Sequence, residues 1–369
     1  MDFALNDEQQ LLRDLLERFG TERYDLTQRG RYRAAPSGYS AENWAALAEL
    51  GLLGLPFASA DGGLDGGTVE IVTLMEGIGR ALIVEPVLEE IIFAAGLIAA
   101  AGSEEQRSAW LGPVIAGERH LALAHFEQRA RFDLGRVATR AVRNGGGWRL
   151  DGDKHVVLAA GAADAYIVSA RENGGGAGGV GFYLVPRDAS GVTKREFRLA
   201  DGSVAASLSL RAAAASDRLT GGFDAFAQVV ERTRMAACAE MLGIMSYLFE
   251  ATLDYVRSRK QFGAPLGSFQ VIQHRLVDLY VALEQSRSQL LRAALATGTA
   301  PERARAVAGM KSYVSAAALQ LGEECIHLHG AMGTTDELAI GHGHKRILVL
   351  ATLFGDADFE LERFITLAA

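Results

Sequence analysis

Cysteine is nearly missing from this 369-residue chain, which has only Cys238 and Cys325. Two thiols cannot build a disulfide framework, and these two match no metal-ligand spacing. Both lie in helical patterns rich in Ala and Leu, so each reads as a buried free thiol, which suits a reducing cytoplasm. Excess positive charge is missing too: the formal net charge is −8, which argues against a general nucleic-acid binder. Long apolar runs are absent. The longest, Ile91 to Gly102, falls well short of the roughly 20 residues of a membrane span. No secretion signal is visible, because Met1 leads straight into a capped amphipathic helix. The expectation is a cytoplasmic protein that binds neither nucleic acid nor membrane.

What is present is ordinary soluble composition, 49% hydrophobic and 22% charged, in a chain long enough for two or three structural units. Asn6 with Gln9 resembles a capping box, and Leu11, Leu12, Leu15, Leu16 and Phe19 follow as a helical stripe. Arg23 to Arg33 is basic and reads as a solvated loop. Ser40 caps a helix that buries Trp44 and Leu47, and Val69 to Ala81 and Val87 to Ala101 read as apolar helices. From about Arg119 glycine is frequent and the apolar runs are short. Asp151-Gly152 reads as a hairpin turn; Ala165 to Ser169, Val180 to Val185 and Val204 to Leu210 read as strands. Gly174 to Gly179 reads as a flexible hairpin tip, not a phosphate loop, since no Lys-Ser/Thr pair follows and no helix opens after it.

After Phe223 helical periodicity returns and persists: Met241, Ile244 and Leu248, then Leu276, Leu279 and Leu283, then Val307, Met310, Val314 and Leu321, and finally Phe359 and Phe364. Long helices joined by short turns make an antiparallel bundle. The predicted fold is α+β and multi-domain, with an N-terminal helical domain (1–118), a middle β domain (119–224) and a C-terminal four-helix bundle (225–369).

One stretch is built unlike the rest. Arg257 to Gln273 joins two helices and gathers Arg257, Arg259, Lys260, Gln261 and Phe262 ahead of Gly263 and Pro265, with Ser268 as the expected cap of the next helix. Such a turn is poor packing material and suits a bound anion: a guanidinium fork beside the free N–H groups of a helix start. His342 and His344, flanking Gly343, read as exposed loop histidines, because further ligands at suitable spacing are lacking; no metal is expected.

These residues resemble the acyl-CoA dehydrogenase family over nearly the whole chain. Arg259-Lys-Gln-Phe-Gly263, Phe269-Gln270 and Gln273-His274 are similar to its R-x-x-F-G and F-Q element. Ile326-His-Leu-His-Gly-Ala-Met-Gly333, with Thr335, Glu337 and Arg346, resembles its Q-x-x-G-G-x-G segment and later Arg. The resemblance implies a β-barrel as middle domain, FAD as cofactor, and dehydrogenation of an acyl-CoA thioester: a carboxylate takes the α-proton while the flavin takes the β-hydrogen. It also implies a homo- or heterotetramer. The adenosine-diphosphate half of the flavin would reach a neighbouring subunit, where Arg259, Gln261, Phe262, Gln270, His327, Gly330 and Ala331 would hold it.

Departures from the family pattern are as informative. The family's base stands at one of two places. Counting nine residues on from Arg346 gives Gly355, and counting 25 back from Arg259 gives Arg234, preceded by Thr233. Neither Gly355 nor Thr233 can take a proton from carbon. Glu231 and Asp356 are the nearest carboxylates. The family's T-E-x-x-x-G-S-D stretch is here Ala124 to Asp133, keeping Glu127 but no Gly-Ser, and K-x-W-I-T is Lys154-His-Val-Val-Leu158. Arg234, near the base in the family, would line a vacant substrate site. Together these resemble the non-catalytic subunit of the heteromeric α2β2 acyl-CoA dehydrogenases with which bacteria degrade steroid side chains, its partner being a catalytic homologue. The alternatives are a self-sufficient homomeric enzyme using Glu231 or Asp356 as base, and a flavin-free structural or acyl-CoA-binding relative.

Overall fold

The computed structural model describes residues 5–172 and 179–367. The expected glycine-rich tip therefore lies outside the described residues except for Gly179. The chain divides into two compact units. One holds the described residues up to Gly30, Thr68–Ile83 and everything from Arg234 onward; the other holds Arg31–Gly67 and Val84–Thr233.

The first unit is helical. It contains α1 (Asp7–Arg23), α4 (Thr68–Arg80), most of α7 (Phe223–Ser258), α8 (Gln270–Ala294), α9 (Ala300–His329), α10 (Ala339–Thr352) and α11 (Ala357–Thr366). The expected capping box forms at Asn6–Gln9, and a second, which was not expected, forms at Thr299–Glu302. Met241, Ile244, Leu248, Met310, Val314, Leu321 and Ile347 fill the core, all 1% exposed or less. Helix α4 lies directly on α7, because a Cβ at Gly79 would collide with the Glu240 carbonyl and one at Gly243 with that of Glu76. Helix α10 is held to α7 by Arg346, whose Nε lies 2.6 Å from Glu240 Oε1. By length and apolarity α7 could cross a bilayer, yet 78% of its apolar window is buried in the fold, as in a core helix.

Two readings about charged residues of these helices do not hold. The basic segment after Arg23 is not a loop: α2 (Leu26–Ala34) forms there, and Arg29 is 4% exposed. Its Nε donates to the Leu82 carbonyl and its Nη1 to His342 Nδ1 at 2.8 Å. Nor is His342 an exposed loop residue. It sits buried in α10, accepting from Arg29 on one ring nitrogen and donating to the Asp336 carbonyl with the other. His344 lies in the same helix, half-buried, with burial lowering its pKa. A basic run reads as solvated until its partner, here a histidine 313 positions away, is known. Among the described residues no cluster of three or more metal-ligating side chains forms.

The second unit carries α3 (Ala41–Glu49), a wide π-helical segment at Val87–Ala95, α5 (Gly96–Ala101), α6 (Glu104–Ile115) and an eight-stranded sheet. The strands are β1 (Leu121–Ala124), β2 (Arg140–Asn144), β3 (Gly147–Leu158), β4 (Ala165–Glu172), β5 (Val180–Pro186), β6 (Val192–Arg198), β7 (Val204–Ala215) and β8 (Asp217–Arg218). They run in the order β6-β7-β3-β2-β4-β5-β8, with β1 beside β4. Leu150, Tyr166, Val168, Tyr183, Leu208 and Leu210 pack within it. The expected Asp151-Gly152 hairpin turn is instead a bulge inside β3, where the register with β7 shifts. The turn between β2 and β3 is Gly145-Gly146, with φ 57° and 93°, since the left-handed pair that such a turn needs costs glycine nothing.

Candidate functional site

Helix α7 ends at Ser258 and the chain makes a miniature hairpin, β9 (Lys260–Gln261) against β10 (Ala264–Pro265). Phe262 and Gly263 form its tip with φ 53° and 81°. That turn throws Phe262 outward, 90% exposed, edge-on to Phe269 at 6.3 Å. A benzyl group so exposed buries nothing within its own chain, which marks a surface for something else. Arg259, Lys260, Gln261 and Gln270 are exposed beside it, and neither Arg259 nor Lys260 forms an ion pair among the described residues. Ser268 does not cap α8. Its hydroxyl donates to the Pro265 carbonyl, and Phe269 is the N-cap, with no side chain closing the helix start.

The second element is the end of α9. The helix stops at His329, Gly330 turns at φ 62°, and a short 3₁₀ turn runs over Gly330–Thr334. His327, Gly330 and Ala331 are exposed, and a Cβ at Gly330 would meet nothing within 4 Å. Sequence reasoning missed the residues that join the two elements. Tyr255 of α7 stacks on His329 at 4.2 Å and 24°, and its hydroxyl donates to the His329 carbonyl. Arg275 of α8 pairs with Glu324 and donates to His327 Nδ1 at 2.8 Å. Nothing local marks Tyr255 or Arg275, because their roles come from contacts between helices.

The expected base positions are both closed. Thr233 is fully buried, and its hydroxyl donates to the Val229 carbonyl one turn back. Gly355 has φ 142°; a Cβ there would clash with Glu360 Oε1 and lie 2.9 Å from the Phe359 ring. Asp356 serves as N-cap of α11, accepting from the Phe359 amide at 2.9 Å. Glu231 is half-buried on α7.

Arg234 was expected to line a vacant site and does not. It is 2% exposed, with Nε 2.8 Å from Glu360 Oε1 and Nη2 donating to the Phe354 carbonyl at 2.7 Å. Glu360, fully buried, also pairs with Arg363 at 2.8 Å. Lys311, equally buried, donates to the Leu350 and Ala351 carbonyls at 2.7 and 3.1 Å, closing the end of α10, and burial lowers its pKa to about 8. The loop between α10 and α11 is thus tied down by buried cations.

The β unit shows a matching loss. Glu127 is engaged by Lys154 at 2.7 Å and by Thr139 Oγ1, and it accepts the Ala138 and Thr139 amides, folding the loop that follows β1. Lys154 is fully buried, its pKa lowered by that burial to about 8. Leu158, where the family motif carries a hydroxyl, is an apolar side chain only 5% exposed. Both cysteines are buried free thiols, with burial raising each to about 12. For FAD, the donors present fit the diphosphate half: an exposed guanidinium, an exposed ring and an open glycine backbone. At Leu158 they do not fit the flavin ring.

Family models for the N-terminal, middle and C-terminal domains of acyl-CoA dehydrogenase match residues 6–118, 122–209 and 220–365. The chain belongs to the acyl-CoA dehydrogenase family, FAD-dependent oxidoreductases acting on CH–CH bonds. It is 30% identical to the mitochondrial short-chain specific acyl-CoA dehydrogenase of Homo sapiens, over 84% of this chain and 78% of that one. Among solved structures it is similar to a variant of the Tcur3481-Tcur3483 steroid ACAD, with TM-score 0.90, 30% identity and coverage of 99% and 98% of the two chains. It is also similar to the ChsE4-ChsE5 complex from Mycobacterium tuberculosis, with TM-score 0.90, 25% identity and the same coverage.

Proposed function

We propose that this chain is the non-catalytic subunit of a heteromeric acyl-CoA dehydrogenase. It presents Arg259, Gln261, Phe262, Gln270, His327, Gly330 and Ala331 to the diphosphate half of FAD held by a catalytic homologue, and it abstracts no proton itself. The observation that carries this reading is the closure of both base positions. Gly355 has no room for a side chain against Glu360, and the Thr233 hydroxyl is tied to its own helix. An α-proton of a thioester needs a carboxylate within hydrogen-bond reach and free to accept it. Asp356 caps a helix, and Glu360 is held by two arginines. The likeness to ChsE4-ChsE5 and to Tcur3481-Tcur3483, a complex and a pair by their descriptions, supports a partner of the same fold and a role with steroid acyl thioesters.

Arg259 would pair with the pyrophosphate, Phe262 would lie against an apolar face, and Gly330 would let the backbone approach closely. Flavin supplies the hydride acceptor when bound. This chain contributes the walls of that site and leaves the proton transfer to the partner's carboxylate. Assay of the purified chain alone, loaded with FAD and offered acyl-CoA thioesters and an artificial electron acceptor, tests this reading: no enoyl product is expected. Turnover lost on Glu231→Gln or Asp356→Asn would establish the self-sufficient alternative instead.

A further inference from the structure

We propose that Arg275 and Glu324 are positioning residues that lock His327 into one neutral tautomer, making its ring a fixed hydrogen-bond donor on the exposed end of α9. The chemistry of the groups allows one arrangement. A guanidinium has N–H donors, no acceptor, and stays protonated in a protein. Arg275 Nη2 lies 2.8 Å from His327 Nδ1. Nδ1 is therefore the acceptor and carries no proton, so the single proton of the ring sits on Nε2. A charged ring would set one N–H against another. The contact thus excludes the imidazolium as well as the second neutral tautomer.

Glu324 makes the lock hold. Arg275 comes from α8, whereas Glu324 and His327 stand three residues apart on one face of α9. The same Nη2 donates to Glu324 Oε2, so its two hydrogens are divided between the carboxylate and the ring. The ion pair anchors the guanidinium and cancels its charge, leaving the ring beside a net neutral pair. Both partners are half-buried, while the ring is exposed and its Nε2–H makes no hydrogen bond among the described residues.

Two residues further on the opposite arrangement holds. His329 Nδ1 lies 2.8 Å from the Cys325 carbonyl, which can only accept, so there Nδ1 bears the proton. Burial lowers the His329 pKa and favours the neutral ring. The end of α9 thus carries two histidines in opposite tautomers, and of the two it is His327 that offers an exposed N–H. Such a donor suits an acceptor oxygen. On the function proposed above, that oxygen belongs to the diphosphate half of the partner's FAD, and this assignment of the ligand rests on that reading. The resemblance leads to a Gln at this position, where the chain has His327. An amide offers N–H whichever way it is turned, whereas a neutral imidazole does so only from the nitrogen that holds its proton. Arg275 and Glu324 supply what a ring needs in place of an amide.

Nitrogen NMR of the full-length chain, labelled in its histidine rings and held at mildly alkaline pH, tests the tautomer, with His327 assigned through His327→Gln. In the parent, His327 should show the Nε2–H form alone and His329 the Nδ1–H form. Arg275→Met should return His327 to the mixture of neutral tautomers that a free ring shows. His329 should not change, which also reports that the fold is intact. An averaged or Nδ1–H ring at His327 in the parent, or a ring indifferent to Arg275→Met, overturns the proposal. Flavin retention by the pair formed with a base-bearing homologue tests the donor role. Arg275→Met should weaken it about threefold to tenfold, the worth of one oriented hydrogen bond. In the His327→Gln background the same change should have no effect, because the amide donates unaided. Equal weakening in both backgrounds would make Arg275 a merely structural residue and overturn the donor role. A locked ring whose removal in His327→Ala leaves flavin retention unchanged would uphold the tautomer and count against the diphosphate clamp instead.

Discussion

Arg234 Nε and Glu360 Oε1 lie 2.8 Å apart, with both side chains buried in the helical unit. This pair, with Arg363 on the far carboxylate oxygen, lies where the family resemblance leads one to look for a base. Removing one partner of a buried pair strands the other charge, while removing both can be neutral. Glu360→Gln should therefore cost about 3–5 kcal/mol, and Arg234→Met/Glu360→Leu should recover most of it. Urea unfolding of the parent and the two variants measures this.

Gly355→Glu should not create a dehydrogenase. The residue would have to hold φ 142° and displace Glu360. Strain and collision together should cost about 2 kcal/mol or more. The melting temperature should fall, and thioester oxidation by the chain alone should stay at background.

Lys311 makes stability depend on alkaline pH. Burial lowers its pKa to about 8 from the usual 10.5. Between those values the unfolded chain holds the proton and the folded chain does not, so stability rises with pH across that window. Below about pH 8 both states are charged and the full burial penalty applies. Lysine at this position adds at most about 1.4 kcal/mol per pH unit to the slope. Urea midpoints at pH 8 and pH 10 should converge more in Lys311→Met than in the parent.

Tyr255 stacks on His329 and so joins the two elements of the proposed diphosphate clamp. Tyr255→Ala should lower flavin retention by the assembled complex through misplacement of Gly330, without altering the partner's base. A stacked pair of this kind contributes about 0.5–1.5 kcal/mol. Reconstitution with FAD at graded concentrations should show a weaker site with unchanged turnover once it is filled.

Much of this architecture was legible because its signals are local. Asn6–Gln9 specifies a helix start within four residues, and the Leu and Met stripes specify the core faces. The break between helices at Gly263 and Pro265 was legible for the same reason, though not the small hairpin that forms there. What stayed hidden depends on distant partners. Arg29 looked solvated because His342 lies 313 residues away, and Arg234 was expected at a vacant substrate site because its partner Glu360 comes from another helix. Asp151-Gly152 carried a turn signal that the sheet overrode, absorbing it as a bulge in β3.

The central claim is that this chain completes a flavin site that it does not own. The most direct measurement is the number of bound flavins per polypeptide, from flavin absorbance and protein mass, for the chain alone and after co-expression with a base-bearing homologue. One FAD per unlike pair is expected, with none on the chain alone and loss from the pair on Arg259→Ala. One FAD per chain in the isolated protein, retained by Arg259→Ala, would contradict it.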